Sequence, residues 1–165
     1  MKFMDTRKWH KKCRVWCEDP KGAAAALVEE DNIPDNVKTS YYFQKLYISF
    51  MFRLYDETKD FAEKFSAWNV SSPWVNLWVS YSFYTFYFGL ISFWVARNSR
   101  GEEEWFERGN KSKSALKKWA VTCQWTFEHK WYLLEAEEAF CNGRYDEAKL
   151  YYEKAVTSAK DHKVR

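Results

Sequence analysis

Residues 129–160 read HKWYLLEAEEAFCNGRYDEAKLYYEKAVTSAK, and this stretch decides the fold. Two helix-length segments, 129–141 and 145–160, flank Asn142-Gly143-Arg144, and neither contains a proline or an internal glycine. So short a joint turns the second helix back along the first, which makes an antiparallel hairpin. Ala136 and Ala139, then Ala148 and Ala155, recur at helical spacings and put small side chains where two helices touch. Tyr132 and Tyr152 supply bulk beside them, Gly143 suits the turn, and Tyr145 opens the second helix. Together these residues form a candidate packing set, structural rather than catalytic.

Sliding the chain against itself by 90 residues places Tyr55-Asp56-Glu57 on Tyr145-Asp146-Glu147, Phe50 on Phe140, Phe61 on Tyr151 and Lys64 on Lys154. Half that shift brings a charged joint, Asn98-Ser99-Arg100-Gly101, to the same point of a middle unit. Three hairpins follow, at about residues 37–67, 72–123 and 129–161. Ser71, Ser72 and Pro73 signal the start of the middle one, because serine caps a helix and proline fits its first turn. Gly109-Asn110 marks a candidate kink within its second helix, and residues 125–128 form the joint to the last hairpin. One hairpin cannot bury its apolar face alone, so such units stack. Residues 1–35, with Pro20, Gly22, Pro34 and an acidic run, read as an N-terminal helix and linker, and residues 36–165 as the repeat domain.

The last hairpin resembles the tetratricopeptide repeat, whose pattern asks for W-x₂-L-G-x₂-Y and then A-x₃-F. Tyr132, Ala136 and Ala139 fall on its first half, and Ala148 and Tyr152 on its second. Glu135 replaces the family's leucine, Ala139 its tyrosine, and the closing proline is absent. A wider likeness rests on Gly89-Leu90 with Ala96-Arg97, Lys117-Lys118-Trp119, Leu133-Leu134-Glu135-Ala136-Glu137 and Tyr145-Asp146-Glu147-Ala148 with Ala155. Over residues 40–165 these stretches are similar to the helical-repeat segment that follows the ATPase module in large multidomain signalling proteins. There, protein-kinase-like and STAND/AAA-type ATPase parts precede the repeats, and sensor, histidine-kinase or cyclase domains can follow. The resemblance implies a scaffold, a fragment or relic of that architecture, with none of its catalytic residues represented. It also implies partners among proteins or the neighbouring domains of a larger signalling protein.

Composition agrees with a packed helical chain. Ten Trp, eleven Tyr and thirteen Phe stand against five Gly and three Pro, which excludes disordered, collagen-like and linker classes. The glycines, at 22, 89, 101, 109 and 143, allow neither a GxxxxGK phosphate loop nor GxGxxG, so the common nucleotide-binding loops are absent. A net charge of +3, from 26 basic and 23 acidic residues, does not demand nucleic acid or an anionic membrane. Four cysteines without a secretory leader read as reduced thiols of a cytoplasmic protein.

No constellation calls for chemistry. Cys13 and Cys17 with His10 lack the second ligand pair that a structural zinc takes, so no metal or cofactor is expected. His129 and His162 have no nucleophile at a recognised spacing and read as surface residues. Glu135 with Glu138, and Glu137 with Glu138, have the spacing of a solvated helix face, and catalysis is not expected from them. Arg97, Arg100, Arg108, Lys111, Lys113, Lys117 and Lys118 are interleaved with Glu102, Glu103, Glu104 and Glu107, a mixed-charge face rather than a phosphate track. RNA binding, with exposed Trp and Tyr stacking on bases, is an alternative.

The main rival is a membrane span, because residues 65–96 contain no charge and a helix over 74–96 would be about 34 Å long. Asn76, Ser80, Ser82, Thr85 and Ser92 dilute its apolar character, and its aromatics are spread rather than gathered at two interfaces. A repeat helix packed on both sides shows the same all-round hydrophobicity. The sequence therefore reads as all-α, a TPR-like right-handed stack of antiparallel hairpins, acting as a non-catalytic scaffold. Binding is expected on a concave helix face with aromatic anchors.

Overall fold

The computed structural model describes residues 35–71, 78–99 and 103–162. They form six helices: α1 Asp35–Met51, α2 Tyr55–Ser71, α3 Trp78–Asn98, α4 Glu103–Thr122, α5 Gln124–Cys141 and α6 Tyr145–Asp161. No strand occurs among the described residues. Each helix packs closely on its successor within a hairpin, α3 also reaches α1 and α5, and the result is a TPR-like all-α stack of antiparallel hairpins. The readings of residues 1–34, including the first helix and the His10, Cys13 and Cys17 cluster, fall outside the described residues.

The helix ends follow from local chemistry. Helix α2 continues to Ser71 instead of stopping near residue 67, because nothing in Trp68-Asn69-Val70 breaks it before Pro73, whose ring disfavours helix in the residue preceding it. The joint expected at residues 125–128 is helical. Cys123 alone interrupts the chain, at φ −141° and ψ 81°, and its carbonyl accepts the Phe127 N–H at 3.2 Å to start α5. Helix α4 runs through Gly109 and Asn110 as one element. Its first turn carries Glu103 and Glu104, as α2 carries Asp56 and Glu57 and α6 carries Asp146 and Glu147, so acids meet the positive end of each helix dipole.

The first and last hairpins turn identically. Arg144 N–H bonds to Ala139 O at 2.9 Å and Gly143 N–H to Phe140 O at 3.1 Å. Ninety residues earlier, Leu54 N–H bonds to Ser49 O and Arg53 N–H to Phe50 O, both at 3.0 Å. Both sets form the paired bonds of a Schellman cap, with the residue after the cap in the left-handed region. Gly143 occupies it at φ 72° and Arg53 at φ 58°. Burial follows the same shift: Leu46 and Ala136, Ser49 and Ala139, Thr58 and Ala148, Phe65 and Ala155 are all buried.

Helix α3 separates two cores. On one side Tyr42, Phe43, Leu46, Phe50, Ala62 and Phe65 of the first hairpin enclose Ile91 and Val95. On the other, Phe86 and Phe93 pack with Leu116, Ala120, Phe127 and Leu134. Burial on both sides explains why α3 is apolar all round. Among the described residues no helix is long and apolar enough to cross a membrane.

Candidate interaction site

The candidate packing set divides. Ala136, Ala139, Ala148 and Ala155 are buried between α5 and α6, Tyr132 and Tyr152 are half-buried, and Gly143 and Tyr145 are exposed. Tyr152 Oη donates to Glu137 at 2.7 Å, and burial together with that carboxylate pushes the phenol pKa up. Tyr145 packs edge-on against Phe140, with ring centroids 5.3 Å apart.

The glutamates of α5 are not a solvated face. Glu135, Glu137 and Glu138 are mostly buried, and each reaches across to another element. Glu137 pairs with Arg97 of α3. Glu135 accepts from Trp131 Nε1 at 2.8 Å and from Lys113 Nζ at 3.2 Å. Glu138 holds Lys113 at 3.4 Å and takes two bonds from Arg144, at 2.8 and 2.9 Å. The spacing expected of a solvated face serves interhelical ion pairs instead, because α5 is flanked by α3, α4 and α6.

The basic residues are correspondingly divided among separate partners. Arg108 Nη2 donates to Glu63 at 2.9 Å and Glu104 at 2.7 Å, while its guanidinium lies 4.4 Å from the Trp105 ring centroid. It lines a cleft of about 390 Å³ between α2, α3 and α4, with Tyr84, Thr85, Phe88 and Lys111. Lys117 lies over Trp131.

The histidines depart from the surface reading. His129 is half-buried with its Nδ1 buried and unpartnered, and burial, then Lys130 and His162, lowers its pKa. His162 Nε2 lies 3.7 Å from Glu128. Burial pushes the Cys141 thiol up to about 11, and its Sγ donates to Phe93 O at 3.4 Å, which makes it a poor nucleophile. Among the described residues no group of three or more His, Cys, Asp or Glu is placed to hold a metal.

The exposed hydrophobic residues include rings. Helices α1 and α3 share a face on which Tyr47 meets Phe83 at 6.1 Å and Tyr87 at 4.9 Å, and Phe83 meets Tyr87 at 4.6 Å, centroid to centroid. Phe83 is 43% exposed, and Met51, one turn beyond Tyr47, is exposed as well. Burial, then the neighbouring Tyr47, raises the Tyr87 pKa. Lys130 of α5 lies over the rings of Phe86 and Phe127, at 5.9 and 5.7 Å. The sequence carried no signal for Phe83 or Tyr87, because in a helix apolar on every side no ring is marked as the exposed one. No family model, curated protein or solved structure matches this chain.

Proposed function

We propose that the protein is a non-catalytic helical-repeat scaffold that holds a peptide or a neighbouring domain on the face shared by α1 and α3. The observation that carries this reading is the cluster of Tyr47, Phe83 and Tyr87, whose rings pack on one another, with Phe83 exposed and Tyr47 and Tyr87 half-buried beside it. Tyrosine and phenylalanine lose little side-chain entropy on binding and bury large areas, so they concentrate interface energy. A protein partner is favoured over RNA because Arg97, Arg108 and Lys113 are held in separate ion pairs instead of forming one phosphate track. Descent from the repeat segment of a multidomain signalling ATPase or kinase is part of the proposal and supplies the kind of partner: adjoining domains. A cytoplasmic setting fits the free thiols Cys123 and Cys141.

The test is selection of peptides from a displayed random library on the immobilised chain. An enriched sequence class whose binding falls about tenfold or more in Phe83→Ala/Tyr87→Ala, with an unchanged helical spectrum, supports the scaffold. A library that yields no enrichment, or peptides indifferent to those substitutions, removes the assignment of this face.

A further inference from the structure

The first hairpin uses Phe50 and Tyr55 as a clamp. Trp94 of the next unit packs edge-on against both, at 5.5 and 5.6 Å, and Arg53 covers the edge, 4.7 Å from Phe50 and 5.7 Å from Trp94. Shifted by 90 residues, Phe50 and Tyr55 become Phe140 and Tyr145, on the same turn with the same bonds. Gly143 stands where the first turn has Arg53, and the cation comes instead from α3: the Arg97 guanidinium, paired with Glu137, lies 4.9 Å from the Phe140 ring. What the rings meet differs: Phe50 and Tyr55 each pack on Trp94, whereas Phe140 and Tyr145 pack on each other at 5.3 Å with no indole against them. Phe50 is 9% exposed beneath Trp94, whereas Phe140 is 41% and Tyr145 64% exposed. Val156 of α6 is also exposed.

We propose that Phe140 and Tyr145 form a docking clamp for a helix of a partner polypeptide that presents a tryptophan near its C-terminal end, as α3 presents Trp94 to the first hairpin. The internal copy of the interface specifies the occupant. Trp94 stands one turn from the end of α3, and the rings that receive it are the same residue types in the same cap geometry. An edge-on indole gains from both rings beyond its buried area, and the arginine adds a cation over the aromatic face. The clamp shares no residue with the face of Tyr47, Phe83 and Tyr87, so the two surfaces can be occupied together.

The probe is a labelled synthetic peptide of residues 78–98, extended with lysines for solubility, titrated with the full chain and read by fluorescence anisotropy. Saturable binding is expected, weakened about tenfold or more by Phe140→Ala/Tyr145→Ala in the protein and equally by Trp94→Ala in the peptide. Phe83→Ala/Tyr87→Ala should leave it unchanged, which separates this clamp from the proposed peptide face. If the protein double variant fails to fold, the altered peptide against the unaltered chain decides alone. Absence of saturable binding, or binding indifferent to the peptide tryptophan, overturns the proposal. So does a concentration-dependent dimer in light scattering that Phe140→Ala/Tyr145→Ala abolishes without any peptide binding, since that assigns the face to a second copy.

Discussion

On its first-hairpin side, α3 meets a wall of rings: Phe65 packs against Phe43, Tyr84 and Phe88 at centroid distances of 5.4, 5.8 and 5.4 Å, and Phe43 lies 4.3 Å from Tyr84. On its other side glycines bring it close to its neighbours. A Cβ on Gly89 would stand 2.8 Å from Ser112 Cβ and 2.9 Å from Leu134 Cδ1, and one on Gly109 would stand 2.7 Å from the Phe93 ring. The spacing of packed helices follows the size of the side chains between them. The aromatic side therefore holds its helices further apart and leaves a ring at the margin, where Phe83 emerges. The small-residue side closes tightly and leaves its charged residues to bridge the helices. Binding surface and rigid joint are two outcomes of one repeat with different fillings.

Removing a ring should do the greatest damage to the aromatic side. Phe65 is fully buried, and Phe65→Ala is expected to cost about 3–5 kcal/mol in chemical denaturation through lost transfer energy and a residual cavity. Because a repeat stack is stabilised between neighbours, hydrogen exchange should rise first in α1 and α2 while α5 and α6 stay protected. Uniform loss of protection along the chain would show that the two sides form one cooperative unit.

The converse change breaks the close side. Gly89→Ala is expected to destabilise by about 1–3 kcal/mol from overpacking, after the roughly 1 kcal/mol that alanine gains in helix propensity. Ser112→Gly in the same chain should recover part of the loss, since the Ser112 Cβ is the nearest obstacle. A stabilised Gly89→Ala, read by the denaturation midpoint, would mean that α3 and α4 separate at little cost and that propensity alone counts there.

Much of this was legible in the sequence. Joints at Asn142-Gly143-Arg144 and near Ser99 fixed the hairpins, and the 90-residue shift placed Phe50 with Phe140 and Tyr55 with Tyr145 before any coordinate was needed. The rest failed for physical reasons. Cys123 is no breaker by type, so the early start of α5 at Gln124 carried no mark. Glu135 and Glu138 have the spacing of a solvated pair, and only a helix packed on several sides turns that spacing into bridges to Lys113 and Arg144. Exposure among the rings of α3 depends on how far apart its neighbours stand, a tertiary property that periodicity does not carry.

The finest test of the repeat lies in its two turns. Both residues after the helix caps adopt the left-handed conformation, but one is glycine and the other arginine. Nothing lies within 4 Å of a Cβ built on Gly143, so Gly143→Ala pays only the conformational cost of a side chain at positive φ, about 1 kcal/mol. Arg53→Gly relieves the same strain in the first hairpin. It also frees the unfolded chain, by about 0.4–1 kcal/mol, and removes the guanidinium from Phe50 and Trp94, worth about 0.5–1 kcal/mol. These terms nearly cancel, and the stability of Arg53→Gly should stay within about 0.5 kcal/mol of the parent. A loss well beyond that would show that the arginine over the Trp94 clamp outweighs the backbone strain that it carries. The aromatic side would then be secured by its cation as much as by its rings, and Arg97 over Phe140 would acquire the same importance at the open clamp.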